Sequence, residues 1–249
     1  MAGPTVLHEA TVGSTTAGAT SLSPTITAVT PGNLVVVAFA YYNSAVKNPS
    51  LSVSDSSSQT WTAGPTCAIE GATYGKAAMF YFPNSAAITT VSCASGASAI
   101  GAMAAVFWEV TGAAATTPAD VSLAAPGGGS TGTAATGTAG SATAAANELA
   151  LGGIFSGGSS ITISGETAGW TPETKVQGAI TGTAYDTDIF PAYQASIASG
   201  TTLTLAATLQ YAVYWGVLFQ TFKAAAAAAV VVPPPLVINQ AALIRASIW

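Results

Sequence analysis

Charge is what this chain has least of. Lysine and arginine together number five and aspartate and glutamate ten, so 6% of its 249 residues are charged, against about 25% in an ordinary soluble domain. It has one histidine and two cysteines. Each scarcity removes a class of function. The five cations (Lys47, Lys76, Lys175, Lys223 and Arg245) are scattered. Neutralising nucleic-acid phosphates needs clustered Lys and Arg, so a nucleic-acid partner is excluded. His8 is the single conceivable base for a Ser-His-Asp or Cys-His arrangement. It lies beside Glu9, ahead of the first clear strand, and reads as a solvated or subunit-contact residue. Cys67 and Cys93, with one distant histidine, make no zinc pattern, and two thiols make no disulfide framework. They read as buried free thiols, with pairing left open. No catalytic, cofactor or metal residues are nominated, and the chain does not read as an enzyme.

Two further features are missing. The start, Met1-Ala-Gly-Pro-Thr-Val-Leu-His-Glu9, has neither the basic flank nor the apolar stretch of a secretory signal. A membrane span is also excluded. Residues 224–244 carry no charge and are long enough to cross a bilayer, but Pro233, Pro234 and Pro235 interrupt them. Three prolines in a row remove backbone donors and break any helix, which hydrocarbon does not tolerate.

What remains is abundant Thr, Ser, Gly and Ala around apolar runs: half the residues are hydrophobic, 26 are glycine and 13 proline. Charged side chains keep a free protein apart from its neighbours. A surface that has given them up suits a life against other protein. The runs have the length and β-branched content of strands. Residues 34–42 follow the turn signal Pro31-Gly32-Asn33, and Leu51-Ser-Val-Ser-Asp55 alternates with period two. Further strands are expected over residues 59–62, 77–82, 88–93 and 101–110. Few segments show helical periodicity. The expected fold is all-β, an antiparallel β-sandwich of jelly-roll-like form.

The order of signals then repeats. Residues 33–36 are echoed by 148–151, Thr60-Trp61-Thr62 by Gly169-Trp170-Thr171, residues 88–92 by 201–205, and 107–110 by 219–222. This divides the chain into an N-terminal segment (1–20), a sandwich (21–223) and an arm (224–249). The sandwich holds five-stranded halves at about 21–125 and 141–223, joined by a Gly/Thr/Ala-rich loop at 126–140. The halves would pack as the facing sheets of one sandwich, or form two small ones; the thin second half favours one.

Beyond Lys223 the character changes: six alanines, three valines, three prolines and an apolar end. Proline triplets adopt an extended conformation. An extended apolar arm finds its remedy in a partner's groove or sheet edge. The expected partner-binding residues are Val230, Val231, Val232, Pro233, Pro234, Pro235, Leu236, Val237, Ile238, Leu243, Ile244, Arg245 and Trp249. Trp61 and Trp170 lie near turns and are the candidates for stacking on a glycan, with the aromatics of residues 185–193, taken as a loop, beside them. Trp108 and Trp215 lie within apolar strands and read as core. Asp55, Asp186 and Asp188 read as turn formers rather than calcium ligands.

Several segments carry a resemblance: Gly-Asn-Leu-Val-Val-Val (32–37), Val-Ser-Asp-Ser-Ser-Ser-Gln-Thr-Trp-Thr (53–62), Phe-Tyr-Phe-Pro-Asn (80–84), Phe-Trp-Glu-Val-Thr-Gly (107–112) and Ala-Asn-Glu-Leu-Ala-Leu-Gly-Gly (146–153). Their order resembles a family of jelly-roll-like β-sandwich virion proteins of tailed phages infecting actinobacteria. The tail from Pro233 to Trp249 is similar to the ends of minor tail and capsid decoration proteins. The resemblance implies a virion component assembled in the host cytoplasm. Its partners would be other virion subunits, in a homo-oligomer. The leading expectation is a minor tail protein that docks through its arm. Capsid decoration is the alternative, and a host-attachment module binding surface glycan is the second.

Overall fold

The computed structural model describes residues 2–15, 19–43, 49–69, 75–96, 101–127, 134–180 and 186–226. Among them are seventeen strands and no helix. The first eight are β1 (Thr5–Gly13), β2 (Ser21–Leu22), β3 (Leu34–Tyr42), β4 (Leu51–Asp55), β5 (Thr62–Ala68), β6 (Gly75–Phe82), β7 (Val91–Ser95) and β8 (Ala102–Thr111). The rest are β9 (Ala119–Pro126), β10 (Ala134–Thr138), β11 (Glu148–Gly157), β12 (Ile163–Ser164), β13 (Thr171–Pro172), β14 (Val176–Ala179), β15 (Asp186–Ile197), β16 (Thr204–Leu209) and β17 (Tyr214–Phe222).

The strands form four sheets, antiparallel throughout. Two are large: β1-β8-β3-β6-β5, and β9-β17-β11-β15 with β13 and β14 both on the outer edge of β15. Two are small: β2-β7-β4 and β10-β16-β12. The large sheets face each other across a central core that includes Val36, Trp108, Leu151, Phe155 and Phe222. The sheet β2-β7-β4 closes an outer core with Phe39, Tyr41, Phe107 and Ile88. On the other side, β10-β16-β12 closes a second outer core with Ile154, Trp170, Phe219 and Leu205. The sandwich is therefore four sheets deep. The halves are not the expected single five-stranded sheets: each pairs its large sheet, which faces the other across the central core, with a three-stranded sheet outside it.

Burial on both faces explains the sequence of the central strands. In β3, Leu34, Val36, Ala38, Ala40 and Tyr42 enter the central core, while Val35, Val37, Phe39 and Tyr41 enter the outer one. A strand packed on both sides reads as a continuous apolar run instead of an alternation. The edge strands, with one wet face, keep the period of two: β4 and β10 each alternate along their length.

Three segments differ from the sequence reading. Residues 5–13, assigned to a separate N-terminal segment, form the edge strand β1 on β8. A register shift between Val6 and His8 breaks the alternation that would have marked it. The Gly/Thr/Ala-rich stretch 126–140 contains β10, paired with β16 from Ala134↔Thr208 to Thr138↔Thr204. Of residues 185–193, taken as a loop with exposed aromatics, Tyr185 lies outside the described residues and 186–193 belong to β15, the longest of the described strands, with Phe190 buried. Pro191 masked it. A proline cannot donate to a ladder on its outer side, and there the outer neighbour is itself broken between β13 and β14.

Candidate functional site

The last described residues, 223–226, run beside the connection between β8 and β9. After β17, Lys223 N donates to Pro118 O at 2.8 Å, Ala114 N to Lys223 O at 2.9 Å and Ala225 N to Gly112 O at 2.8 Å. Ala224 forms a bridge with Ala113. These bonds tie residues 223–225, which precede the expected docking residues of the arm, to the connection between β8 and β9. Beside it lies an open groove of about 520 Å³, lined by residues 114–117, Ala145 and residues 223–226. The lining is alanine and threonine apart from Lys223. The expected docking residues Val230 to Ile238, Leu243 to Arg245 and Trp249 lie outside the described residues.

The two glycan-stacking candidates are held differently. Trp170 is buried, its Nε1 donates to Thr204 O at 2.8 Å, and its ring packs on Phe219 at a centroid distance of 5.5 Å. The ring has no open face to offer a sugar. Trp61 is half-buried against the N-terminal outer core, and its Nε1 donates to Asp55 Oδ2 at 2.7 Å. Asp55 Oδ1 also accepts from Ser57 N at 2.7 Å. Gln59 donates through Nε2 to Asp55 Oδ2 and Ser85 Oγ, both at 3.3 Å, and accepts from Ala86 N at 2.8 Å. The stretch Asp55-Ser-Ser-Ser-Gln-Thr-Trp61 is thus a clasp that locks the β4–β5 turn onto the loop after β6.

The titratable groups fall into pairs. His8 Nδ1 meets Glu109 Oε2 at 2.7 Å. Glu109 also accepts from Thr30 N at 2.9 Å and Asn33 Nδ2 at 2.6 Å. Burial works to raise the Glu109 carboxyl, but the hydrogen bonds from His8, Asn33 and Thr30 prevail and hold it below the usual range. His8, read as solvated or as a subunit contact, is an intramolecular partner. Asp188 is fully buried and meets Lys175 Nζ at 3.3 Å, which also donates to Ile161 O at 2.9 Å. Burial raises Asp188; the Ile161 N–H and Lys175 oppose it. Asp186 accepts from Ser160 N at 3.1 Å. Both aspartates therefore serve the β15 ladder and its neighbours.

Among the described residues, two carboxylate pairs, Asp120–Glu148 and Glu9–Glu173, meet without a cation, and burial raises Glu148 with the charge of Asp120 adding to it. Glu173, in the break between β13 and β14, accepts from Trp108 Nε1 at 2.8 Å. Glu9, across from Trp108 in the β1–β8 register, brings its carboxyl against that of Glu173. Burial pushes Glu173 up to about 7; the Trp108 donation opposes this, and the charge of Glu9 adds to it. Burial also raises Glu9. Nothing in the sequence marks this pair, because its members lie 164 positions apart and meet only through the facing of the two large sheets. Glu173 also lines a small cleft with Glu166, Pro172, Phe190 and Leu205.

Cys67 and Cys93 are both free and buried. They belong to different cores, and burial pushes each thiol up to about 12. A thiol that far from ionising is a poor nucleophile at neutral pH. Among the described residues, no group of three or more His, Cys, Asp or Glu side chains could hold a metal ion. None of their helices is long and apolar enough to cross a membrane. Comparison with known protein families, with curated proteins and with solved structures finds no match.

Proposed function

We propose that this protein is a structural component of a phage virion, a minor tail protein that docks on neighbouring subunits through its C-terminal arm; capsid decoration is the alternative placement. The observation that carries the reading is the fixed root of the arm. Ala224 and Ala225 are bonded to Ala113 and Gly112, so the apolar residues that follow start from a defined point on the body. The surface suits such a role. With 6% of residues charged, it has little of the mutual repulsion that keeps free proteins apart, and its Ser, Thr and Ala side chains allow close approach. The polar clusters support it as well. His8–Glu109, Lys175–Asp188 and the Asp55 clasp each tie parts of the fold together.

The test is truncation after Ala226, which leaves the bridge to Ala113 intact. The truncated chain should keep the thermal midpoint of the full chain and disappear from purified particles when it is the only copy supplied. Separating tails from heads then assigns the full-length protein to one or the other. Normal incorporation of the truncated chain would overturn the docking role.

A further inference from the structure

We infer that the chain is a covalently joined dimer: residues 5–111 and 119–222 are two copies of one jelly-roll-like unit, and the inner face of each unit's large sheet is an interaction surface that fits a second copy of the same unit.

The strand order carries the first part. Within the first unit the large sheet runs β1-β8-β3-β6-β5 and the small one β2-β7-β4. Numbering the second unit from its own first strand, with β13 and β14 as one broken fifth strand, gives the same two orders from β9-β17-β11-β15-β13/β14 and β10-β16-β12. Eight strands in one order, repeated without exception, are far more specific than the Thr-rich likeness that any two β segments share.

The backbone repeats in finer detail, at separations of 112–115 residues. Ser14 N donates to Met103 O at 2.8 Å, and Gly127 N to Trp215 O at 2.8 Å. Gly96 N donates to Ser50 O at 2.7 Å, and Gln210 N to Thr162 O at 3.0 Å. Gly32 and Asn147 share a positive φ (92° and 59°), as do Asn84 and Ser196 (54° and 56°). Most telling, Thr30 N and Ala145 N are each bonded by a carboxylate, at 2.9 and 3.1 Å. In the first unit that carboxylate comes from β8 (Glu109), and in the second from β11 (Glu148). The demand for an acceptor has been kept while the residue meeting it changed strand.

The packing carries the second part. Strand β8 of the first unit lies over β14 and β15 of the second, and β17 of the second lies over β5 and β6 of the first. Likewise β1 meets β14, and β9 meets β5. Each contact has its reciprocal, which is the signature of an isologous, two-fold interface. Two glycines admit the close approach at equivalent corners. An added Cβ at Gly178 would run into Met103 O, and one at Gly216 into Cys67 Sγ. The outer cores, by contrast, each draw on one unit alone. Each unit therefore has a complete core of its own, and the central core is what joins the two.

The experiment uses the full chain with a protease recognition sequence inserted between Thr116 and Thr117, in the exposed connection between the units. The uncut protein must match the parent by circular dichroism. After cleavage it is titrated with urea at several protein concentrations, with mass followed by light scattering and strand content by circular dichroism. The expected result is two steps. The mass halves first, at a urea concentration that rises with protein concentration, and the strand signal falls later at a fixed one. Gly178→Ala and Gly216→Ala should each move the first step to lower urea and leave the second in place. A single step in which mass and strand signal fall together overturns the inference, as does a glycine variant that moves only the second step.

Discussion

Asp55 shows how much this chain asks of each of its few charges. One carboxylate receives the Ser57 backbone N–H at 2.7 Å and the Trp61 indole N–H at 2.7 Å, with Gln59 adding weaker bonds at 3.3 and 3.4 Å. It thereby holds the turn that carries the left-handed Ser58, whose φ is 54°. Hydrogen bonds to a charged acceptor are worth about 1.5–3 kcal/mol each before exposure reduces them. Asp55→Ala should therefore destabilise the fold by about 2 kcal/mol, read as a fall in urea midpoint. Asp55→Asn should cost nearly as much, because whichever way the amide turns, its NH₂ faces one of these N–H donors. An unchanged midpoint in both variants would show that the clasp contributes nothing to the fold. Glu109 works in the same way, with His8, Thr30 and Asn33 gathered around it. Acids in this protein are spent on connectivity.

At the scale of elements, the meeting of β1, β8 and the β13–β14 break has a pH signature. Glu173 touches Trp108 and Glu9, and the ion pairs among the described residues, His8–Glu109 and Lys175–Asp188, give it no cation. Its carboxyl is raised from 4.5 to about 7, so between those values the folded state binds more protons than the unfolded one. Stability from this group is then full below about pH 4.5 and is lost as pH rises through 7. Discounted for partial exposure, the loss is about 1–2 kcal/mol. Glu173→Gln keeps an acceptor for Trp108 and removes the titration. The difference in stability between variant and parent should widen in the variant's favour from pH 5 to pH 8. A difference independent of pH would mean that Glu173 ionises as it would in water. The legibility of these elements from sequence follows the same lines. β3 and β4 could be read to the residue, since one is a β-branched run after a turn and the other alternates. β1 and β15 could not, since a bulge and a proline each disturb the pattern that identifies a strand. The Glu9–Glu173 contact belongs to tertiary packing alone, and no local pattern encodes it. The clasp lies in plain view at residues 53–62, and Asp55 bonds Ser57, Gln59 and Trp61 within it. Its residues read as turn and stacking groups because the contacts that show the turn to be tied down, from Gln59 to Ser85 and Ala86, lie after β6.

For the whole molecule, the consequence of three separate cores is that damage should be compartmented. Phe39 lies in the N-terminal outer core, Phe219 in the C-terminal one and Phe155 in the central one, each with almost no exposure. Truncating any of them to alanine should cost about 3–5 kcal/mol, so global stability alone would not tell them apart. Native-state hydrogen exchange does, because local opening follows the cooperative unit that has been weakened. Phe39→Ala should lose protection in β4 and β7, while β10 and β16 keep theirs. Phe219→Ala should do the reverse. Phe155→Ala removes a ring that both large sheets enclose, so β3, β8, β11 and β17 should lose protection together. Equal losses in β7 and β16 from either outer substitution would mean that the four sheets open as one cooperative body.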